Sequence, residues 1–586
     1  MDRIIKYWSE ILVSGVLLFL FFFSYNPGEE LYRSKVVRSD GKGYFAYLPA
    51  VIAHQDLTWE ASTKDESTLP ESRNQHYLHK NQDGVLFDKY YPGVAILQVP
   101  FYALGYLLES TFNSGNSYGL LPILFFHIGS LFYGILGFIL LKAFLKRIFE
   151  RKNFISFVSV ILFFGSNLFY QPVFHPSFSH HYSFAMMCLF AFLTRVYLDK
   201  STLKNAFLLG VSLGLVFLVR PTNGLIVFAI PFFLMSWQNT QNFLRSIFTI
   251  KNLHLFSAII GFSICLLLLF ILNYLQTGYV FNWSYQGEGF NFANPQIWKT
   301  LFSFRTGLFI HIPMLLISLL GFYFAYKKEG GFIVLSWLFY FALLVYLTAS
   351  WWCWDYGGSW GHRVFTEQML IFAPPMVLLF QNIKKVRFAQ FIFIGFTVLF
   401  CFKLYQIRHS LSPRRLTPSM YFQTLLNFNK PEGITEYHFV RNCEPFGSLI
   451  RKEDLTLKES KNVKFNNQKI FGCDSKFVYP KDRDVHRFFI RINTTKKLSP
   501  ESNWSEVFFV FDGVNEEGKS INYHAMPLYE FYKEGINDSK ILELSREMID
   551  VQQELSEIRM YIWNKEGRSF ELENIQVSVE EYGVIN

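Results

Sequence analysis

Long apolar segments constrain the fold of this chain more than any other feature of its sequence. A helix needs roughly 20 mainly apolar residues to cross a bilayer, and about eleven such segments are present. Of the 586 residues, 51% are hydrophobic and 17% are charged, which is too apolar a balance for a typical soluble protein. The sequence therefore predicts a polytopic helical membrane protein. The predicted spans cover 8–24, 119–145, 153–171, 182–198, 204–219, 223–236, 252–274, 307–325, 331–349, 365–380 and 387–407.

Lys and Arg are concentrated in alternate connections between these segments. Because such residues are enriched in cytoplasmic loops, the pattern predicts a cytoplasmic amino terminus and an extracytoplasmic carboxyl-terminal segment. The net charge of +9 mostly reflects this bias, so it does not indicate nucleic-acid binding. The basic connections are Arg3 with Lys6, 146–152, Lys200 with Lys204, 327–328 and 384–387.

A change in composition near residue 408 divides the chain into two predicted domains. Residues 1–407 form the membrane domain, whose first outer loop is 25–118, and residues 408–586 form an extracytoplasmic domain. In the second domain apolar residues recur at every second position, as in half-buried strands. The pattern predicts an antiparallel β-sandwich, to which 539–555 adds a helix. The alternating segments are 487–493, 506–513, 558–564 and 570–582.

Two of the six cysteines, Cys443 and Cys473, lie in this outer domain. Thiols persist as disulfides outside the cytoplasm, so we predict that these two pair. The other four lie in or beside predicted spans, where a cysteine is usually a small buried hydrophobe. The cluster of His175, His180 and His181 does not have the spacing of a metal-ligand set, and we predict no metal site.

The first outer loop contains two apolar segments. In 41–53, apolar residues recur with helical spacing and several are aromatic, which predicts a helix lying on the outer membrane surface. In 90–109, Pro100 interrupts the segment, which favours an interfacial or bent helix over a straight span.

A series of motifs in residues 1–407 resembles the GT-C superfamily of membrane glycosyltransferases, and its bacterial branch most closely. Relatives in that branch include protein O-mannosyltransferases and lipid A aminoarabinose transferases. In this chain the family's first-loop acid, Asp40, is followed by Gly41 and not by a second acid. The motifs are "DGKGYFAYLPA" (40–50), a "YPG" segment (91–93), "HPSFSHHYSFA" (175–185), "RPTN" (220–223), "LFSFRTGLFIHIP" (301–313) and "WWCWDYGGSWGHR" (351–363).

The resemblance implies an enzyme that moves a sugar from a polyprenyl-phosphate donor to a hydroxyl acceptor on the extracytoplasmic face, with inversion. It places the protein in the cytoplasmic (inner) membrane of a bacterium, as part of the machinery of the cell envelope. The expected partners are the lipid-linked sugar, a glycan, lipid or protein acceptor, and the bilayer, with no nucleic acid. We expect no cofactor, although a divalent cation stays open as an alternative.

Such a transfer needs a carboxylate to accept the proton of the attacking hydroxyl and cations to stabilise the departing phosphate. Asp40 is the predicted base, and Lys42, Arg305 and Arg363 are the predicted phosphate partners. The glycines beside Lys42 would let the backbone approach a ligand closely. The predicted contacts to sugar or acceptor are Glu288, Asp355, Trp354, Trp360, His180 and His181.

Each of these assignments has a structural alternative. Asp40 could cap the helix that follows it, since Asp is favoured at that position. Arg305 and Arg363 lie near span ends, where long side chains often extend to the membrane interface. The tryptophans could belong to the aromatic belt at the membrane surface.

Two other classes of function compete with a glycosyltransferase. A transporter or flippase of lipid-linked sugars would need ionisable residues within its spans, of which this sequence has few. A non-catalytic component of envelope assembly would act through its outer domain.

Overall fold

The computed structural model describes most of the chain up to residue 409 and the strands of the carboxyl-terminal part. The described residues are 2–29, 31–69, 77–81, 83–113, 115–249, 252–285, 288–357, 360–409, 421–422, 425, 449–455, 463–466, 468, 470–478, 487–497, 507–518, 520–527, 540–549, 556–565 and 570–582.

The chain divides into two compact units. The first comprises Met1–Ser284, Ile297–Thr348 and Ser359–Tyr405. The second comprises Tyr285–Gln296, Ala349–Gly358 and Gln406–Asn586.

The described part before residue 410 is mostly helical, with one antiparallel hairpin, formed by β1 (Leu78–Lys80) and β2 (Leu86–Asp88), and one isolated antiparallel bridge between Phe290 and Trp351. Short 3₁₀ or π segments lie at Pro49–His54, Pro221–Ala229, Leu319–Gly321, Arg363–Phe365 and Glu367–Phe372. The α-helices are α1 (Asp2–Ser24), α2 (Tyr32–Val36), α3 (Gly41–Leu48), α4 (Glu60–Glu66), α5 (Gly93–Phe112), α6 (Leu120–Lys146), α7 (Lys152–Phe164), α8 (Tyr170–Phe174), α9 (His180–Asp199), α10 (Leu203–Val219), α11 (Ile230–Leu234), α12 (Trp237–Thr249), α13 (Leu253–Thr277), α14 (Ile297–Phe302), α15 (Leu308–His311), α16 (Pro313–Ser318), α17 (Phe322–Glu329), α18 (Phe332–Ser350), α19 (Ala373–Asn382) and α20 (Val386–His409).

Seven of the helices in the described residues are long and apolar enough to cross a membrane, which makes the chain an integral membrane protein. The predicted count of about eleven spans is not reproduced, because several predicted spans are divided into shorter helices. Pro221 and Pro313 each begin a new helical segment, as expected of a residue that lacks a backbone N–H. The seven are Tyr7–Ser24, Gly93–Phe112, Leu120–Lys146, His180–Asp199, Leu253–Thr277, Phe332–Ser350 and Val386–Gln406.

The helix predicted at 90–109 is present, and its interfacial or bent course stays a prediction. The structure has one helix there, α5, which continues through Pro100 for 20 residues and is one of the seven long enough to cross a membrane. It packs along α6, where the side-chain amide of Gln98 donates to the backbone oxygen of Phe126 at 3.1 Å. Packing against a neighbouring helix can compensate for the hydrogen bond that proline removes.

The prediction of a surface helix at 41–53 is wrong. All eight residues of α3 are buried within the first unit, and a π-helical segment continues it to His54. Phe45 packs against the rings of Tyr102, Tyr118 and Phe126 at centroid distances of 5.0–5.5 Å. The aromatic residues that resembled a membrane-facing surface therefore form a protein core.

The described strands of the second unit form two antiparallel sheets. One has the order β5-β10-β7-β8, and in the other the order is β3-β11-β6-β9, with β4 also paired to β11. Ile558, Met560 and Ile562 are buried, as their alternation predicts. Face-to-face packing of the sheets as a sandwich stays a prediction. The strands are β3 (Leu449–Leu455), β4 (Val463–Phe465), β5 (Phe471–Val478), β6 (Arg487–Lys497), β7 (Val507–Val514), β8 (Ser520–Pro527), β9 (Lys540–Ile549), β10 (Glu557–Asn564) and β11 (Phe570–Tyr582).

Two predictions for the second unit have different outcomes. The helix predicted at 539–555 is wrong, because β9 occupies Lys540–Ile549 and pairs with β6 along its whole length. Cys473 is buried in β5, whereas Cys443 lies outside the described residues, so their disulfide stays a prediction.

Candidate active site

The carboxylate of Asp40 is held by two side chains from distant parts of the sequence. Arg363 donates from Nη2 to Asp40 Oδ2 at 2.7 Å, across 323 residues of sequence. Tyr90 donates its hydroxyl to Asp40 Oδ1 at 3.0 Å. Asp40 stands at the start of α3, but its side chain makes no capping hydrogen bond to the helix. Arg363 and Tyr90 therefore position the carboxylate. The alternative that Asp40 only caps the helix does not agree with these contacts.

The pair formed by Asp40 and Arg363 is partly open to solvent. The side chains are 32% and 20% exposed, respectively. Arg363 begins a 3₁₀ turn after "SWGH", and its guanidinium carbon lies 5.4 Å from the ring centroid of Phe178, which limits its freedom to move. A ligand can therefore reach both charged groups without unfolding the surrounding structure.

Tyr90 is itself fixed by its backbone. Its N–H donates to Asp88 Oδ1 at 2.8 Å, and its carbonyl accepts from the Tyr47 hydroxyl at 2.8 Å. A Cβ at Gly43 would clash with the ring of Tyr90, so only glycine permits this packing. The glycines around Lys42 thus serve close packing within the protein, whereas the sequence predicted the approach of a ligand.

Lys42 does not line the open side of this site. Its Nζ lies 3.0 Å from Glu66 Oε1 in α4, and these two side chains are only 11% and 1% exposed. Glu66 Oε2 also accepts from the Tyr77 hydroxyl at 2.5 Å. Because a buried carboxylate already neutralises the ammonium, the geometry argues against the predicted phosphate contact of Lys42.

The pair of Lys42 and Glu66 gives a prediction about stability. Glu66→Gln leaves the ammonium buried without its counter-charge, so we expect it to destabilise the protein by about 3–5 kcal/mol. The double variant Lys42→Met/Glu66→Leu removes both charges and should recover most of that loss. Thermal unfolding in detergent measures both. A double variant no more stable than Glu66→Gln would contradict the account.

A second charged cluster, separate from the pair of Asp40 and Arg363, lies at the start of α9. His180 Nδ1 is 2.8 Å from Glu367 Oε2, and Arg220 Nη1 is 3.2 Å from Glu367 Oε1. Asn223 donates to the same Oε1 at 3.3 Å. His180 and Glu367 are buried, so His180 has a structural partner where the sequence predicted a contact to substrate.

Tyr44 connects the two clusters. Its side chain is buried, and the charges of Arg220, Asp40 and Arg363 act on its hydroxyl. Desolvation raises the pKa of Tyr44, so the phenol stays protonated at neutral pH.

Two further predicted contact residues are buried. His181 Nε2 lies 2.9 Å from the Ser130 hydroxyl. Trp360 is 3% exposed, with its ring centroid 3.8 Å from that of His311 and its carbonyl bound by the Asn167 amide. Because a sugar platform needs an exposed ring face, the burial of Trp360 argues against the predicted stacking.

Three predicted contact residues belong to the second unit. Glu288 Oε2 accepts from the indole N–H of Trp352 at 3.1 Å, and Asp355 Oδ1 accepts from the N–H of Gly357 at 3.1 Å. Trp354 is 5% exposed. The two carboxylates therefore shape the loops that contain them, and a role towards the acceptor stays a prediction.

Arg305 is half-buried in the turn before α15, and its contact to donor phosphate stays a prediction. Within the part of the chain that the structure describes, no group of three or more His, Cys, Asp or Glu side chains is placed to hold a metal ion.

Asp88, outside the membrane-spanning helices, is a buried carboxyl that the sequence reasoning missed. Desolvation raises its pKa well above the usual range, and the N–H of Tyr90 and the charge of Lys89 oppose this only in part. From about pH 4, where an unfolded Asp titrates, up to the raised pKa, the folded state binds more protons than the unfolded one. The protonated carboxyl of Asp88 therefore contributes its full stabilisation below about pH 4. This stabilisation is lost as the pH rises from about 4 to the raised pKa.

Asp88→Asn mimics the protonated carboxyl at every pH. We expect this variant to unfold at a higher temperature than wild type at neutral pH, and to lose part of the decline in stability between about pH 4 and pH 7. Thermal unfolding across this range measures the effect. Parallel curves for the two proteins would show that Asp88 is ionised in the folded state.

Sequence reasoning also missed Tyr90, Glu66 and Glu367. Tyr90 directly precedes the "YPG" segment, and that position was a signal that could have been used. Glu367 is an acid at the beginning of an apolar segment, where a charge needs a partner. Glu66 lies in a polar stretch without a distinguishing pattern.

No protein-family model matches the sequence, and a search of curated proteins finds no match. Solved structures do match. Arabinosyltransferase EmbB from Mycobacterium smegmatis is 10% identical, with a TM-score of 0.36, and the match covers 98% of this chain and 64% of that one.

Oligosaccharyltransferase AglB from Archaeoglobus fulgidus, in complex with an inhibitory peptide and a dolichol-phosphate, is 11% identical with a TM-score of 0.38, covering 76% of this chain and 62% of that one. The apo form of the A. fulgidus oligosaccharyltransferase is 12% identical with a TM-score of 0.40, covering 75% and 62%. The chain thus spans less than two thirds of the length of these proteins.

Proposed function

We propose that the chain is a glycosyltransferase that moves a sugar from a polyprenyl-phosphate donor to a hydroxyl acceptor on the extracytoplasmic face of the membrane. The observation that carries the proposal is the pair of Asp40 and Arg363, which is partly open to solvent. The reaction needs one carboxylate and one cation near the same reacting carbon. Two motifs that resemble the GT-C superfamily supply them.

The chemistry is a single displacement. The acceptor oxygen attacks the anomeric carbon, the bond from that carbon to the phosphate oxygen breaks, and its electron pair leaves with the polyprenyl phosphate. Asp40 accepts the acceptor's proton. Arg363 stabilises the charge that develops on the phosphate. Attack from the side opposite to the leaving group inverts the anomeric carbon.

Arg363 can contact the donor phosphate and Asp40 at the same time. A guanidinium has five N–H donors in a fixed fork, so it can hold a phosphate oxygen while it still contacts Asp40. Tyr90 holds the other carboxylate oxygen and acts as a positioning residue. The distribution of Lys and Arg in the sequence supports the extracytoplasmic side, because it assigns the first loop, which carries Asp40, to that side.

The proposal is tested by donor turnover in liposomes. Purified full-length protein is mixed with a panel of polyprenyl-phosphate sugars and a membrane extract as source of acceptor, and polyprenyl phosphate is quantified by mass spectrometry. We expect release from at least one donor. Movement of a donor across the bilayer without release would instead identify a flippase. If the donor is neither released nor moved, the protein is a non-catalytic component.

A further inference from the structure

A cavity of about 450 Å³ lies in the first unit. It is formed between the segment that follows β2 and the carboxyl-terminal end of α13 with the residues after it. Tyr90, whose hydroxyl binds Asp40, is part of its wall. The side chains relevant to its chemistry are Tyr47, Asp88, Tyr90, Asn273, Gln276 and Trp283.

The wall combines the two features by which proteins recognise neutral sugars. Asp88, Asn273 and Gln276 offer hydrogen-bonding groups for hydroxyls, and tyrosine and tryptophan rings offer apolar faces for the C–H surface of a pyranose. Trp283 is 66% exposed. None of the described residues that line the cavity is Lys, Arg or His, so it provides no cation for a phosphate.

One atom of the wall has unused hydrogen-bonding capacity. Asp88 is 3% exposed, and its Oδ1 accepts from the Tyr90 N–H. Its Oδ2 is buried and has no hydrogen-bond partner among the described residues. A buried polar atom without a partner is costly, so binding of a hydroxyl to Oδ2 would be favoured once the Asp88 side chain turns towards the cavity.

The position of the cavity relative to Asp40 distinguishes acceptor from donor. The two oxygens of the Asp40 carboxylate face different partners, Oδ2 the cationic Arg363 and Oδ1 the hydroxyl of Tyr90. The donor phosphate belongs on the side of Arg363, where the positive charge is. The cavity, whose described lining residues include no cation, adjoins the side of Tyr90.

Given the proposed function, on which this inference rests, we propose that this cavity is the acceptor subsite and that it binds a neutral sugar unit of a glycan. The acceptor hydroxyl then approaches Asp40 past Tyr90, with Asp88 and the amides holding neighbouring hydroxyls. A cavity of this volume has room for more than one pyranose ring.

The test is sugar binding to purified full-length protein in nanodiscs, without donor. The probes are neutral hexose disaccharides (maltose, cellobiose and lactose) and their 6-phosphates, followed by saturation-transfer NMR. We expect at least one neutral disaccharide to bind, and Trp283→Ala and Asp88→Ala each to weaken that binding about tenfold. Trp298→Ala is the matched control, because Trp298 is 74% exposed and does not line the cavity.

The outcomes separate this inference from the proposed function. Failure of all neutral probes to bind, binding unaffected by Trp283→Ala, or equal binding of the 6-phosphates would overturn it. Trp283 is largely exposed, so its variant should fold even if Asp88→Ala does not. Neutral-sugar binding that depends on Trp283, in a protein that releases no polyprenyl phosphate, would keep the sugar-binding site but refute the transferase and, with it, the role of the site as an acceptor subsite.

Discussion

Asp40→Asn should lower the rate of sugar transfer by on the order of 10² or more, because the amide cannot accept the proton of the attacking hydroxyl. The fold should be nearly unaffected. The Asp40 side chain makes no capping bond and its ion pair with Arg363 is partly exposed, so the variant should lose roughly 1 kcal/mol or less of stability. The loss should appear in kcat and not in donor KM, because Arg363 remains to bind the phosphate.

Asp199→Asn is the matched control. Asp199 pairs with Arg147 at 2.6 Å on the exposed end of α9, so this variant also breaks an Asp–Arg pair, outside the proposed site. Steady-state transfer and thermal unfolding in detergent are measured on both proteins. If Asp40→Asn transfers sugar at the rate of Asp199→Asn, Asp40 is not the base.

Arg363→Ala should reduce transfer by about 10²–10³-fold, since it removes the cation next to the leaving phosphate. Arg363→Lys should fall between this variant and wild type, because it keeps the charge but loses the planar fork that contacts phosphate and Asp40 together. Both kcat and the affinity for donor should fall, which distinguishes these variants from Asp40→Asn.

Arg147→Ala provides the corresponding control for loss of a partly exposed arginine from a surface pair. The same transfer assay, with donor concentration varied, gives kcat and KM for each protein. Full activity of Arg363→Ala at saturating donor would remove the leaving-group role and leave Arg363 as a partner that only orients Asp40.

Asp40 and Arg363 could be named from the sequence, but their contact could not. Each lies in a motif with a chemical rationale, and a charge at the edge of an apolar segment is conspicuous. They are 323 residues apart, and nothing in either motif specifies the other as its partner. Tyr90, which holds the second oxygen of Asp40, directly precedes the "YPG" segment, but a tyrosine in an aromatic-rich loop does not by itself indicate contact with a carboxylate.

The errors have a common physical origin. Apolar periodicity shows that one side of a helix is buried, but it does not distinguish lipid from protein as the burying medium, and α3 therefore looked like a membrane-surface helix. Lys42 belongs to α3, so placing α3 on the membrane surface also made Lys42 look accessible. In the structure Glu66 neutralises the ammonium of Lys42. In β9 the sequence "KILELSREMI" suits a helix locally, and pairing with β6 decides in favour of a strand.

The most direct test of the central claim follows both products of one reaction. With a donor that turns over, mass spectrometry should find one polyprenyl phosphate released for each sugar transferred, and NMR of the glycosidic bond should show an inverted anomeric carbon. Transfer with retained configuration, or transfer of the sugar together with its phosphate, would contradict a single displacement in which Asp40 accepts the proton and Arg363 stabilises the leaving phosphate.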